Sequence, residues 1–509
     1  MQSTDLIRIL PEIILMAVGI VVMLLGAFQP HGRGWHVGLS LLGVAGAALA
    51  AASQWSKPGF AFGGMLTMDP FSVFFHVLLL VITALVLLFS SDYLEREKLP
   101  SAEYCALLLF AATGMGLMVA ANELILIFIG LEISSLSSYV LAGFRQGVSS
   151  SSESALKYFL LGSFATAFLL YGIALIFGIT GTTRLDQVRA ALEGRPLSVS
   201  VDGPAGNLLV DAATTAAQTV PAPPFPTVLL GLAIALMFVG LAFKVSAAPF
   251  QVWTPDVYQG APAPVAAFLS TGPKAAAFAV FLRVFLGALS NSADLWFWLL
   301  WISGALSMLV GNLAALWQSN IKRMLAYSSI AHAGYMMVAF TAHSQEGTTA
   351  VLFYLAAYAF MNAGAFLVVT HIAGQGERYV EVDDYAGLGF RAPLLAACLT
   401  VFLLSLIGIP LTGGFFGKFY IFRAALHSDL VWLTVLGVLN SAAAAYYYLR
   451  VIVAMYMNAP TREVPCERPN PAVRLALLVS VAATFLLGVV PQSVLRLAGT
   501  AARWIEQGR

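Results

Sequence analysis

Five ionisable residues stand where an apolar chain would ordinarily place leucine. Glu132, Lys244, Lys274, His332 and Lys418 each lie near the middle of a long apolar segment or beside an interruption in one. An ionisable group in the core of a bilayer costs about 2.5–3.5 kcal/mol even on the lower scales, so each is a functional candidate. The chemistry they suit is proton transfer. A lysine buried in apolar surroundings can give up its proton near neutral pH, because desolvation disfavours the charged form, whereas a nearby carboxylate restores the charge. Moving Glu132 and Lys244 together or apart would therefore load or release a proton. Histidine titrates in the same range unaided. Ser135 and Tyr139 follow Glu132 on the same helical face and offer hydroxyls for a water chain. The plainer alternative, structural ion pairs inside the membrane, weakens with each further residue in the pattern.

Other candidates are weaker. Arg283, Arg423 and Arg450 lie near span ends and are expected to snorkel to the interface. Glu12, Glu123 and His371 also lie near ends. His76, a lone histidine in an apolar span, is expected to be packed rather than functional. Gly413-Gly-Phe-Phe-Gly-Lys418-Phe is not a phosphate loop, because the spacing is short and no Ser or Thr follows the lysine. No credible soluble strand is expected, and hence no nucleotide-binding strand–turn–helix. Cys105, Cys398 and Cys466 are scattered without a CxxC pair, which argues against disulfide, zinc and iron–sulfur sites. No cofactor or metal is expected in this chain, and a net charge of +1 gives no sign of nucleic-acid binding.

The elements that must position these groups are membrane helices. Of 509 residues, 60% are hydrophobic and only 10% charged, against about 45–50% and about 25% in soluble domains. A span needs roughly 20 apolar residues. The chain offers fourteen: 11–28, 36–54, 70–91, 104–121, 122–144, 156–179, 227–258, 262–289, 295–317, 321–342, 347–373, 393–426, 431–457 and 471–493. The first has no basic leader before it and reads as a retained helix. The seventh and twelfth are too long for one straight crossing. Each contains a Pro/Gly interruption, Lys244-Val-Ser-Ala-Ala-Pro249 and Gly408-Ile-Pro410-Leu-Thr-Gly413-Gly414. Spans four to eight and nine to thirteen form two sets of five, with the broken helix fourth in each. Because five is odd, the second set must run inverted, and paired broken helices in inverted repeats point to a transport pathway. The second helix of each set carries a central titratable group, Glu132 and then His332, and the fourth a lysine, Lys244 and then Lys418. The fold class expected is thus an all-α polytopic membrane protein of about fourteen helices. It divides into an N-terminal three-helix segment (1–103), a first five-helix repeat (104–289, with the long loop 180–226), a second, inverted repeat (295–457), and a C-terminal helix with a short tail (458–509).

Lysine and arginine in short loops set the orientation. Odd-numbered loops hold 11 (33, 96, 98, 145, 157, 322, 323, 378, 391, 462 and 468), even-numbered loops 4 (57, 184, 189 and 195), three of them in the long loop. Odd loops should face the cytoplasm, with both termini on the outer side. Adding Arg8, Arg496, Arg503 and Arg509 brings the outer side to 8 and narrows the margin. Loop 180–226, ending Pro221-Ala-Pro-Pro-Phe-Pro226, is not expected to hold regular structure.

The run Phe243-Lys-Val-Ser-Ala-Ala-Pro-Phe-Gln-Val-Trp-Thr-Pro-Asp-Val-Tyr-Gln-Gly-Ala-Pro262 resembles a signature of the antiporter-like membrane subunits of respiratory complex I, those of the subunit N type above all. Lys322-Arg-Met-Leu-Ala-Tyr-Ser-Ser-Ile-Ala-His-Ala-Gly-Tyr335 and Leu406-Ile-Gly-Ile-Pro-Leu-Thr-Gly-Gly-Phe-Phe-Gly-Lys418 agree and are shared more widely in that family. The resemblance covers all fourteen spans. It implies a proton-channel subunit of the membrane arm, beside neighbouring antiporter-like subunits, with NADH, FMN, iron–sulfur clusters and quinone handled by partner subunits. It further implies that Glu132 and Lys244 are a regulatory pair, Lys274 the central connecting lysine and Lys418 the terminal lysine, with His332 in the matching tenth-helix motif. Gln251 departs from the family, where histidine is common, so it is not expected to carry protons. Two other readings stand beside this one: a subunit of a multisubunit cation/proton antiporter or membrane-bound hydrogenase, and a scaffold that conducts nothing.

Overall fold

The computed structural model describes residues 3–28, 33–195, 227–460 and 468–506, together with 462 and 464. Its main helices are α1 (Leu10–Phe28), α2 (Arg33–Ala52), α3 (Pro70–Arg96), α4 (Ser101–Ala120), α5 (Leu124–Ala142), α6 (Ser149–Thr180), α7 (Thr227–Val245), α8 (Thr254–Gly260), α9 (Ala263–Phe281), α10 (Ala293–Leu316), α11 (Ile321–Thr341), α12 (Gln345–Ile372), α13 (Pro393–Ile407), α14 (Gly413–His427), α15 (Val431–Met457), α16 (Pro471–Val489) and α17 (Gln492–Glu506). Among the described residues, 12 helices are long and apolar enough to cross a membrane. Adding α11 and the α13–α14 pair brings the crossings to fourteen.

The two sets of five pack alike. Within the first, α4 lies on α5, α5 on α6, and α6 on α7 and α8. Within the second, α10 lies on α11, α11 on α12, and α12 on α13 and α14. The first two helices of each set cross at glycines. A Cβ on Gly114 would fall 2.5 Å from the Ser134 backbone nitrogen, and one on Gly311 would fall 2.6 Å from that of Ala331. Only glycine allows so close an approach, the usual device where lipid supplies no hydrophobic drive between helices.

Both interruptions have their freed backbone groups satisfied, as the interior of a membrane requires. After α7 the chain turns through Ser246, with φ 62°, and a cis Ala248–Pro249 bond. Ala248 donates its N–H to Ser307 Oγ at 2.8 Å and accepts from Ser303 Oγ at 2.5 Å, two serines one turn apart on α10. The indole of Trp253 donates to the Phe243 carbonyl at 3.1 Å and so caps α7. The second break runs through Gly408, at φ 95°, and Leu411, at φ 72°. The tryptophan and aspartate of the long 243–262 signature thus serve the first break, because Asp256 in turn pairs with Lys157 and Arg323 at 2.6 Å each.

Two sequence expectations are corrected. A short antiparallel ribbon, Gly59–Ala61 against Leu66–Met68, precedes α3 where no strand was expected; with only three residues per strand it leaves no periodic signal. Part of loop 180–226 is a helix, Leu185–Leu192, held by Arg184 on Asp186 and on the Gly63 carbonyl; residues 196–226 lie outside the described residues, as does Cys466. The short tail past 493 is itself helical. It forms α17, which turns Ala498, Ala501, Ala502 and Ile505 inward against α3 and α12 and leaves Arg503 exposed.

Candidate functional site

The five residues occupy one row along the middle of the helix bundle, with Lys244, Lys274, His332 and Lys418 buried and Glu132 half-buried, and the helices that carry them fix its order. Lys244 ends α7 and is buried. Its Nζ donates to Ser135 Oγ at 2.7 Å and lies 5.4 Å from the ring centres of Tyr139 and Tyr158. The α5 face expected from spacing is therefore the one that meets the lysine. Glu132 sits one turn before Ser135, with its Oε1 buried and unpartnered. Among the described residues no ion pair joins Glu132 to Lys244, and the serine hydroxyl is the group in direct contact. Ser134, Ser135, Ser138, Tyr158, Lys244 and Pro273 line a void with about 10 Å³ open to a water centre, about what a single water needs. Pro273 lies inside α9 beside Lys274 and leaves the helix one donor short there.

Lys274 is fully buried and crosses from the first set of helices to the second. Its Nζ donates to the Ser329 carbonyl at 2.7 Å and to Ser329 Oγ at 2.5 Å. Ser329 begins a stripe on α11, because Ser329, His332 and Tyr335 recur every three residues and share one face. His332 Nδ1 is 2.5 Å from Tyr354 Oη of α12, and its Nε2 is 3.2 Å from Tyr448 Oη of α15. Tyr448 also meets Ser328. Tyr335 accepts from Asn312 Nδ2 at 3.2 Å, and its ring lies 4.9 Å beneath Lys418 Nζ.

Lys418 closes the row. It lies on the far side of its break, in α14, whereas Lys244 lies on the near side of its own. From there its Nζ reaches back to the Leu406 and Ile407 carbonyls at 3.0 and 2.9 Å, and to Ser441 Oγ at 2.8 Å. A cation at the carbonyl end of a helix satisfies orphan acceptors and the dipole together. The carbons of this side chain also pass 3.2 Å from where a Cβ on Gly408 would sit. The two lysines are therefore matched in role but not in position along the broken helix.

The row thus gathers Ser135, Ser329, Tyr354, Tyr448, Asn312 and Ser441, none of which is ionised at neutral pH and so none of which stands out in an apolar sequence. Ser329 and Tyr335 could have been found from their three-residue spacing about His332. The partners on α12 and α15 carry no such mark. Gln251 is off the row, with its Oε1 buried and unpartnered.

A second charged cluster was missed entirely. Glu377, in the loop after α12, accepts from Tyr93 Oη and from the Ala263 amide at 2.8 Å each, and from Lys322 Nζ at 2.6 Å. Arg145 stands 3.4 Å away. Burial alone would push the Glu377 carboxyl up; Lys322 and Arg145 outweigh that and hold it below the usual range. The cluster lies beside an open cleft lined by Glu153, Lys157, Asp256, Lys322 and Glu377 on the side of the odd-numbered loops. Two further expectations change. Arg283 does not snorkel; it is buried and pairs with Asp69 at 3.1 Å. His76 is packed but not alone, because its Nε2 meets Glu12 Oε1 at 2.6 Å. Among the described residues no group of three His, Cys, Asp or Glu is placed to hold a metal ion.

The chain has clear relatives. Residues 121–443 match the family model described as NADH:quinone oxidoreductase/Mrp antiporter, transmembrane. NADH-quinone oxidoreductase subunit N 1 of Solibacter usitatus is 51% identical over 97% of this chain and 96% of its own length. Subunit N 2 of Koribacter versatilis is 54% identical over 96% and 95%. Among solved structures, a chain of respiratory complex I from Thermus thermophilus with bound aureothin superimposes with a TM-score of 0.77 at 36% identity, covering 96% of this chain and 99% of that one.

Proposed function

Because this chain belongs to the NADH:quinone oxidoreductase/Mrp antiporter membrane family, we propose that its buried polar row is a proton path. The chain is a proton-translocating membrane-arm subunit of an NADH:quinone oxidoreductase and works as one part of that multisubunit enzyme. Glu132 and Lys244 load the path at one end, Lys274 hands the proton from the first repeat to the second, His332 passes it between two tyrosine hydroxyls, and Lys418 is the terminal store. The observation that carries this reading is the continuity of the row. Lys244, Lys274, His332 and Lys418 each contact a hydroxyl or ring on another helix, and Glu132 lies one turn from the serine that Lys244 meets.

The division into 1–103, 104–289, 295–457 and 458–509 follows from the same reading. NADH, FMN, iron–sulfur clusters and quinone are bound by partner subunits, and neighbouring antiporter-like subunits flank this one in the membrane. The odd-numbered loops, which carry the Glu377 cluster, face the cytoplasm of the bacterial inner membrane, and both termini face the periplasm. The alternative of a cation/proton antiporter or hydrogenase subunit shares the family but not the subunit N relatives at 51% and 54% identity. A scaffold that conducts nothing leaves three buried lysines unexplained.

The test is redox-driven proton uptake by membrane vesicles carrying Lys244→Ala, with assembly checked on a native gel. Lost uptake and slowed NADH oxidation in an intact complex support the path. Unchanged uptake returns the scaffold reading to first place.

A further inference from the structure

Glu12 and His76 lie outside both repeats, and the proposed path makes no use of them. Glu12 stands in the first turn of α1 and His76 in the second turn of α3, with Oε1 and Nε2 2.6 Å apart and each side chain 3% exposed. Gly116 of α4 makes the room. A Cβ there would fall 2.8 Å from Glu12 Oε1 and 3.3 Å from His76 Nε2.

The hydrogen bonds settle how many protons this pair holds. His76 Nδ1 lies 2.7 Å from the Ser72 carbonyl oxygen. A carbonyl only accepts, so Nδ1 carries a hydrogen. Nε2 is then either protonated and donating to a carboxylate, or bare and accepting from a carboxylic acid. In both states one proton lies between the two residues. Without it, a carboxylate would face an imidazole lone pair at contact distance, while Glu12 Oε2 is already buried and unpartnered, an arrangement that costs a charged group heavily.

We propose that Glu12 and His76 are a separate proton-holding site in the three N-terminal helices, which releases and regains its one shared proton during turnover. The proposal rests on the reading that this chain conducts protons. Its surroundings lead to the helix that carries Lys274. Ser72, whose carbonyl accepts from His76, donates its amide to Asp69 Oδ1 at 2.7 Å, and its hydroxyl accepts from Arg283 Nη2 at 2.8 Å. Arg283 in turn binds Asp69 at 3.1 Å. The charged groups bearing on His76 are Glu12 and Asp69, with Asp69 answered by Arg283, and α4 presents the bare Gly116. Arg283 continues α9 in a widened turn, Leu282–Ala288, a deformation that collects at functional sites. Beyond it, on the side of the even-numbered loops, opens a cavity of about 230 Å³ lined by Thr67, Asn122, Asp186 and Arg189 together with Arg283. The proton leaves to water that enters from this cavity, on the side of the even-numbered loops, without crossing the main row.

The experiment uses the whole complex in native membrane vesicles. Glu12→Gln and His76→Gln keep size and hydrogen bonding but remove the exchangeable proton. Protons moved per NADH oxidised are measured across the range where histidine titrates, roughly pH 5 to 8. The expected result is an assembled complex with a lowered ratio and a flattened pH profile in each single variant, and a double variant no worse than either, since the two residues act as a unit. Wild-type ratio and profile in both assembled single variants overturn the proposal. If the single variants do not assemble, the exchanged pair Glu12→His with His76→Glu decides. Recovered assembly and a wild-type profile support it; failure of either overturns it. Lys274→Ala is run alongside. Normal pumping there brings down the proton-path reading itself, whereas lost pumping there beside normal pumping in Glu12→Gln brings down only this inference.

Discussion

Lys274 and Ser329 join the two repeats within the buried row: one ammonium group donates to both the carbonyl and the hydroxyl of one serine, at 2.7 and 2.5 Å. Each bond to a charged donor is worth about 1.5–3 kcal/mol. Lys274→Ala should abolish proton translocation and slow NADH oxidation in an assembled complex. Ser329→Ala keeps the carbonyl bond and should lose about tenfold or less, in line with the smaller of those energies. Vesicle acidification during NADH oxidation reads both.

Lys244→Ala and Glu132→Ala should each lower turnover of the whole complex, because pumping and electron transfer are coupled. Lys244→Arg should be impaired although it keeps the charge, since a guanidinium does not release its proton. Full NADH oxidation by assembled Lys244→Arg would count against proton loading at this site.

His332 is held between Tyr354 and Tyr448. Tyr448→Phe preserves the ring and removes one relay hydroxyl, leaving His332 Nε2 and Ser328 without that partner, at a cost of about 1–3 kcal/mol. The expected outcome is normal assembly with proton translocation reduced as far as in His332→Ala. A Tyr448→Phe complex that pumps at the wild-type rate would remove that tyrosine from the path.

Glu377 should matter for stability rather than conduction. Its side chain is 4% exposed and its partner Lys322 is 1% exposed. Glu377→Gln leaves a buried cation uncompensated, at about 3–5 kcal/mol, and should lower the amount of subunit in the membrane. Adding Lys322→Met should recover part of the loss. The pH dependence follows from the depressed carboxyl. The stabilisation is fully present above the unfolded value, about 4.5 in the reference, and is lost as the pH falls through the lower folded value. Thermal inactivation of the solubilised wild-type complex should therefore show no contribution from the Glu377 carboxyl to any difference between pH 6 and 8, and that carboxyl's stabilisation should be lost only in strong acid.

Orientation is checked by labelling. Arg378→Cys and Arg503→Cys replace exposed side chains in the loop after α12 and on α17. An impermeant thiol reagent should reach position 503 in intact cells and position 378 only in inverted vesicles. The reverse pattern would turn the subunit over in the membrane.

The number of crossings, both interruptions and the five ionised candidates were legible without the structure, because apolar run length, proline and charge are properties of a short stretch of chain. The terminal helix was missed because six of its 15 residues are polar and its inward alanines carry little hydropathy. Arg283 was misjudged because a cation near a span end has two outlets, water or a carboxylate, and only packing places Asp69 beside it.

What the sequence determined alone is that the chain must be a membrane bundle with protonatable groups at mid-depth, since no other environment matches its composition. What the tertiary structure decided is which groups meet. Lys274 and Ser329 are 55 residues apart, Glu12 and His76 64, and Tyr93 and Glu377 284. Contacts at such separations are set by how helices pack against one another, and neutral partners such as Ser329 and Tyr448 differ from ordinary core residues only through the neighbour that packing gives them.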